Sequence, residues 1–151
     1  MKETINTIKC INKLKQYCKE NSINLEFTWI LAYTSTGKRD ISLNPYGKLN
    51  NVLNNLLHEI GRTISYSKMS NEQYLDFVDS LSHINYAKMN KNFKTFLSPK
   101  DLKKVVIEEK KASIHGKKIA NELNLTINQS SYNKIKNKNI RNHIKWYKNE
   151  I

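Results

Sequence analysis

The residues most able to do chemistry sit in Leu56-Leu57-His58-Glu59-Ile60-Gly61-Arg62. An imidazole and a carboxylate lie side by side in an otherwise apolar helical stretch. Burying either without a partner costs several kcal/mol, on the order of 2–7 for an unpaired polar group and more for a charge. Something must therefore face them. Where a second His follows at i+4, as in His-Glu-x-x-His, two imidazoles reach one zinc ion and the intervening Glu deprotonates the metal-bound water. Here the i+4 position is Arg62. A guanidinium stays protonated and has no lone pair to give, so Arg62 cannot be a ligand. It can instead bridge carboxylates by charge-assisted hydrogen bonds.

A second constellation lies downstream in Ile107-Glu108-Glu109-Lys110-Lys111-Ala112-Ser113-Ile114-His115-Gly116. Glu109, Ala112 and Gly116 share one helical face, and Glu108 borders it. A carboxylate facing inward beside small residues is placed as a metal ligand on a closely packed helix would be. His115, on the same helix, is the first candidate to replace the missing imidazole, ahead of His83 and His143.

Several helical and strand segments must position these groups. Ile5, Ile8, Ile11, Leu14 and Cys18 recur at helical steps and predict a helix over 3–20. Cys10 and Cys18 fall within it, eight residues apart, too far along one helix to bridge, and read as reduced packing residues. Residues 25–33 are rich in β-formers. The turn at Ser35-Thr36-Gly37-Lys38 returns the chain to an alternating strand at 40–44, which predicts an antiparallel hairpin. A wide apolar face from Leu49 to Ile64 predicts a helix at 48–67 that carries His58 and Glu59. Ser70 and Gln73 have capping-box spacing at the head of a helix over 71–89. Ser98-Pro99 opens a helix that runs to about Asn124 and carries both glutamates. The tail predicts two short helices, near 128–136 and 138–150, after a loop at 90–97.

The whole chain, 1–151, reads as one domain of α+β class, mainly helical with a small antiparallel sheet. No apolar run approaches the ~18–20 residues of a membrane span, and no membrane partner is expected. Lys2 is followed by no apolar stretch, which predicts no secretory leader and a cytoplasmic location. The net charge is +13, from 26 basic and 13 acidic residues. Only Arg39, Arg62 and Arg141 are arginines, and there are 21 asparagines. Lys scattered among Asn is foremost a solvated surface. Any contact with nucleic acid is expected to be nonspecific and phosphate-driven, because Arg, the usual reader of guanine edges, is nearly absent. Lys134, Lys136, Lys138, Arg141, Lys145 and Lys148, with Trp146 and Tyr147, form the basic aromatic segment best suited to such a contact. Trp29, Tyr33, Tyr46, Tyr66, Tyr74, Phe77, Phe93 and Phe96 read as core residues that could also line a cleft.

With these motifs in place, the sequence resembles the HExxH zincins of the ImmA/IrrE type, particularly the short metallopeptidase-like members found in phages and other mobile elements. Ile41-Ser42-Leu43-Asn44 is similar to the strand before that family's motif helix. Leu56 to Gly61 is similar to its core, and Glu108 to Ala112 with Ile119-Ala120 to its downstream ligand helix. Ile140 to Tyr147 is similar to the ending of several phage members. The resemblance implies helices packed on a small antiparallel sheet. It implies His58 as metal ligand, Glu59 as general base, Glu109 or Glu108 as a further ligand, and zinc as the cofactor if the protein is active. Arg62 in place of the second histidine leads to the expectation of a degenerate member. Its metal site is lost or weakened, and it has a binding or structural role toward a protein partner in the host cytoplasm or a phage particle. The alternatives are an active peptidase acting on a peptide substrate through Glu59, and a basic nucleic-acid-binding protein.

Overall fold

A computed structural model describes residues 1–28, 38–90 and 98–149, the side chains of 145–149 excepted. The described residues form α1 (Lys2–Glu20), β1 (Asn24–Phe27), β2 (Asp40–Leu43), α2 (Leu49–Ser67), α3 (Asn71–Met89), α4 (Pro99–Glu122) and α5 (Gln129–Asn149). The chain is thus mainly helical with a small sheet, as the α+β reading expects. No helix among the described residues is long and apolar enough to cross a membrane.

Each helix follows from a local signal. In α1, Thr7, Cys10, Ile11, Leu14 and Cys18 are buried at three- and four-residue steps, and both cysteines are free. The α3 capping box is formed: the Gln73 amide donates to Ser70 Oγ (3.1 Å) and the Ser70 amide to Gln73 Oε1 (3.0 Å). Ser98 caps α4, with Pro99 at its first turn. α1 and α4 end in the same way. Ser22 and Asn124 take left-handed backbones (φ 55° and 50°), and the next amides reach back to Cys18 and Ala120 (2.8 Å each). This is the Schellman closure, made here without glycine.

Two expectations are corrected. β1 and β2 pair in parallel, with Leu25 beside Ile41 and Phe27 beside Leu43; they are not an antiparallel hairpin. Alternation sets which side chains share a face but says nothing about strand direction. Parallel pairing presents Leu25, Phe27, Ile41 and Leu43 to the core just as well, and the residues between the strands are numerous enough for a crossover. The predicted extension of the first strand to 33, with Trp29 and Tyr33, lies outside the described residues, as do the turn at 35–37 and most of the 90–97 loop, including Phe93 and Phe96. The tail is one helix, α5, rather than two. No Gly or Pro interrupts Lys136-Asn137-Lys138, so nothing stops the first piece from running into the second.

The main core joins α1, the sheet, α2 and α4 through Leu14, Ile41, Leu43, Leu56, Leu57, Ile60 and Ile119, with Tyr132 of α5 inserted among them. A second cluster, Phe77, Ile84 and Val105, fastens α3 to α4. The most extensive contact is between α2 and α4. It is close because glycine faces backbone at two points. A Cβ on Gly61 would overlap the Ala112 carbonyl oxygen and come within 2.8 Å of the Gly116 nitrogen. One on Gly116 would come within 2.9 Å of the Leu57 carbonyl oxygen and overlap the Tyr132 hydroxyl.

Candidate functional site: a carboxylate–guanidinium cluster between two helices

Because α2 and α4 lie so close, their inward polar groups must satisfy one another. His58 is 1% exposed and Glu109 5%, and His58 Nε2 lies 2.9 Å from Glu109 Oε2. A carboxylate only accepts, so Nε2 carries the proton in this bond. Arg62, one turn along α2, donates from one nitrogen to Glu59 Oε1 (2.7 Å) and from another to Glu109 Oε1. Asn139 of α5 donates its side-chain amide to Glu109 Oε2 at 3.3 Å. Glu109 thus accepts from two helices besides its own. The cluster is open on one flank, where Arg62 and Glu59 keep about a quarter of their side-chain surface in solvent (26% and 29%).

The electrostatics follow from this geometry. Burial pushes the Glu109 carboxyl up, but the His58 hydrogen bond and the Arg62 charge outweigh it and hold the group at about 2. Burial works against the Arg62 cation, while Glu59 and Glu109 push its pKa above the ordinary guanidinium value. Beside the cluster, Lys88 Nζ lies 3.1 Å from His143 Nδ1. Burial and the Lys88 charge keep that ring neutral to about 4.

An acid limb in stability follows. Glu109 titrates lower folded (about 2) than unfolded (near 4.5), so its contribution is complete above pH 4.5 and is lost as pH falls toward 2. His143 titrates at about 4 folded against 6.5 unfolded. Folding disfavours its charged form, and that cost develops as pH falls from 6.5 to 4. Melting temperature is therefore expected to decline in two overlapping stages below neutrality. The His143→Gln variant should lack the upper stage and Glu109→Gln the lower. A wild-type melting temperature flat from pH 7 to 3 would contradict this.

The sequence-predicted residues are only partly brought together. His58, Glu59, Arg62 and Glu109 meet. Glu108, next to Glu109 on α4, is buried outside the cluster, where it accepts from Ser65 Oγ (2.7 Å) and Lys111 Nζ (2.8 Å). His115 lies beside Glu108 in a separate cavity. His83 faces Asp101 (3.7 Å). Asn139 was not foreseen, because an Asn in a helix of Lys and Asn gives no facial signal. His143, a candidate replacement ligand in the sequence, instead flanks the cluster beside Lys88 of α3, and a lysine in the last turn of a helix gives no sign of such a neighbour.

The donor set does not fit a zinc ion. A protein zinc site uses three or four lone-pair donors converging on one point. Here His58 and Glu109 are bonded to each other, and the guanidinium lies between Glu59 and Glu109. Metal-bound imidazoles nearly always bond a partner through their other nitrogen, yet His58 Nδ1 is buried with no partner among the described residues. No group of three His, Cys, Asp or Glu side chains among those residues is arranged for a metal. Comparison with protein-family models, with characterised proteins and with solved structures finds no match to this chain.

Proposed function

We propose that the protein is a degenerate zinc-metallopeptidase-like scaffold of the ImmA/IrrE type, of phage or mobile-element origin, which serves as a binding or structural module and not as a peptidase. The observation that carries this reading is the position of Arg62. It occupies the fourth place after the motif histidine, and its guanidinium bridges Glu59, which the resemblance implies as general base, and Glu109, which it implies as downstream ligand. A fixed cation there supplies the positive charge that two facing carboxylates require, without an exchangeable ion. It also removes the means of activating water, since Glu59 is held against an arginine and not against a metal-bound oxygen.

Arg62→His tests this reading directly. It removes the internal cation and provides a third lone-pair donor beside His58 and Glu109. After dialysis against a chelator and re-addition of zinc, the wild type is expected to retain well under ~0.1 equivalent and the Arg62→His variant close to ~1. Wild-type protein should show no peptidase activity that depends on Glu59. Stoichiometric zinc in the wild type, or proteolysis abolished by Glu59→Gln at an unchanged melting temperature, would overturn the reading in favour of an active enzyme.

A further inference from the structure

A cavity of about 510 Å³ opens between the end of α2, the first turns of α3 and the middle of α4. That volume falls in the range of small-molecule sites, roughly 300–1,000 Å³. Its walls divide by chemistry. Met69, Phe77 and Ile107 provide an apolar side, and Lys68, Lys104 and Lys111 stand around it. Two of these cations are matched: Lys104 pairs with Asp76 at 2.6 Å and Lys111 with Glu108 at 2.8 Å. Lys68 has no acidic partner among the described residues, and His115 shares the cavity with it. Burial and the Lys68 and Lys118 charges push the His115 imidazole below its usual range, with Glu108 opposing. The lining therefore has an apolar half and an unbalanced positive charge. Neither feature belongs to the Arg62 cluster, whose charges are paired internally.

From the apolar wall and the unmatched Lys68 we infer that this cavity binds a small organic anion, an apolar body carrying one acidic group. The apolar body lies against Phe77 and Ile107, and the acidic group meets Lys68, with Lys111 in reach. A purely inorganic anion would leave the apolar wall wet, and a neutral apolar molecule would gain nothing from the exposed Lys68 ammonium at the rim. The inference is independent of the fate of the motif residues and stands whether or not Arg62 replaces a metal.

The probe is 8-anilinonaphthalene-1-sulfonate, an aromatic body with one sulfonate, titrated by fluorescence and mapped by amide chemical shifts. Saturable one-to-one binding is expected, with the largest shifts at Phe77, Ile107 and His115. Lys68→Glu should weaken it about tenfold, and Ile107→Gln several-fold. Lys9→Glu, on the exposed face of α1, makes the same change in net charge and should leave affinity within about twofold. The neutral N-phenyl-1-naphthylamine should bind about tenfold more weakly than the sulfonate, and sulfate alone should not compete at millimolar concentration. Three results would each overturn the inference: equal effects of Lys68→Glu and Lys9→Glu, non-saturable binding, or shifts mapped elsewhere.

Discussion

Arg62→Ala is expected to lower the melting temperature by on the order of 10 °C at pH 7. It leaves Glu109, 5% exposed, as a buried carboxylate that keeps only the His58 and Asn139 bonds. Removing one partner of a buried charge pair typically costs ~3–5 kcal/mol, because the remaining charge is uncompensated. The two halves of the bridge are not equal. Glu59 is 29% exposed on its side chain, so its pair with Arg62 is screened, and Glu59→Gln should cost no more than ~1 kcal/mol. Arg62→Lys should recover only part of the loss, since an ammonium is a point charge and cannot present a planar fork to two carboxylates. The penalty of Arg62→Ala should also shrink toward pH 4, where a Glu109 freed of its cation takes up a proton. Thermal melts of the three variants at pH 7 and 4 check this. A fall of less than 2–3 °C for Arg62→Ala would show that the guanidinium is not an internal counter-charge.

The second large effect is expected at Gly61. Alanine in place of glycine within a helix ordinarily gains ~1 kcal/mol. At this position a loss of about 3 kcal/mol or more is expected. The new Cβ meets the Ala112 carbonyl, which belongs to the α4 backbone and cannot rotate away. Relief requires moving α4 from α2, which lengthens the 2.9 Å His58–Glu109 contact along with it. Gly116→Ala should cost less, because the nearest backbone atom to its Cβ, the Leu57 carbonyl oxygen at 2.9 Å, is less crowded than the Ala112 carbonyl at Gly61, although the buried Tyr132 hydroxyl must give up its bond to Ser113 to make room. Denaturant midpoints for the two variants separate these cases. A Gly61→Ala protein more stable than wild type would mean that the helices are not in backbone contact.

Much of this arrangement is legible in the sequence for a definite physical reason. Polar residues set into an apolar helical stripe, as His58 and Glu109 are, must find each other, and they do. The starts of α3 and α4 follow from Ser70-Gln73 and Ser98-Pro99, whose side chains and ring act locally. Glu108 was less tractable. Adjacent to Glu109 and equally acidic, it differs only by a rotation of 100° about the helix, enough to exchange His58 for Ser65 as its partner. The direction of β1 relative to β2 and the continuity of α5 were not readable. Strand alternation is blind to direction, and the absence of a helix breaker is a weak signal in a segment composed of Lys and Asn.

The spacing of the cluster along the chain bears on how long the folded state lasts. His58 and Glu109 are separated by 51 positions, whereas each helix and its cap close within a few residues. Contacts that join distant parts of a chain carry a loop-closure cost and tend to form after local ones. If the guanidinium bridge closes after the folding barrier, its stabilisation falls mainly on the unfolding rate. Arg62 would then act chiefly on lifetime: a latch that does little to help the chain fold, yet keeps α2 and α4 from parting once they have met.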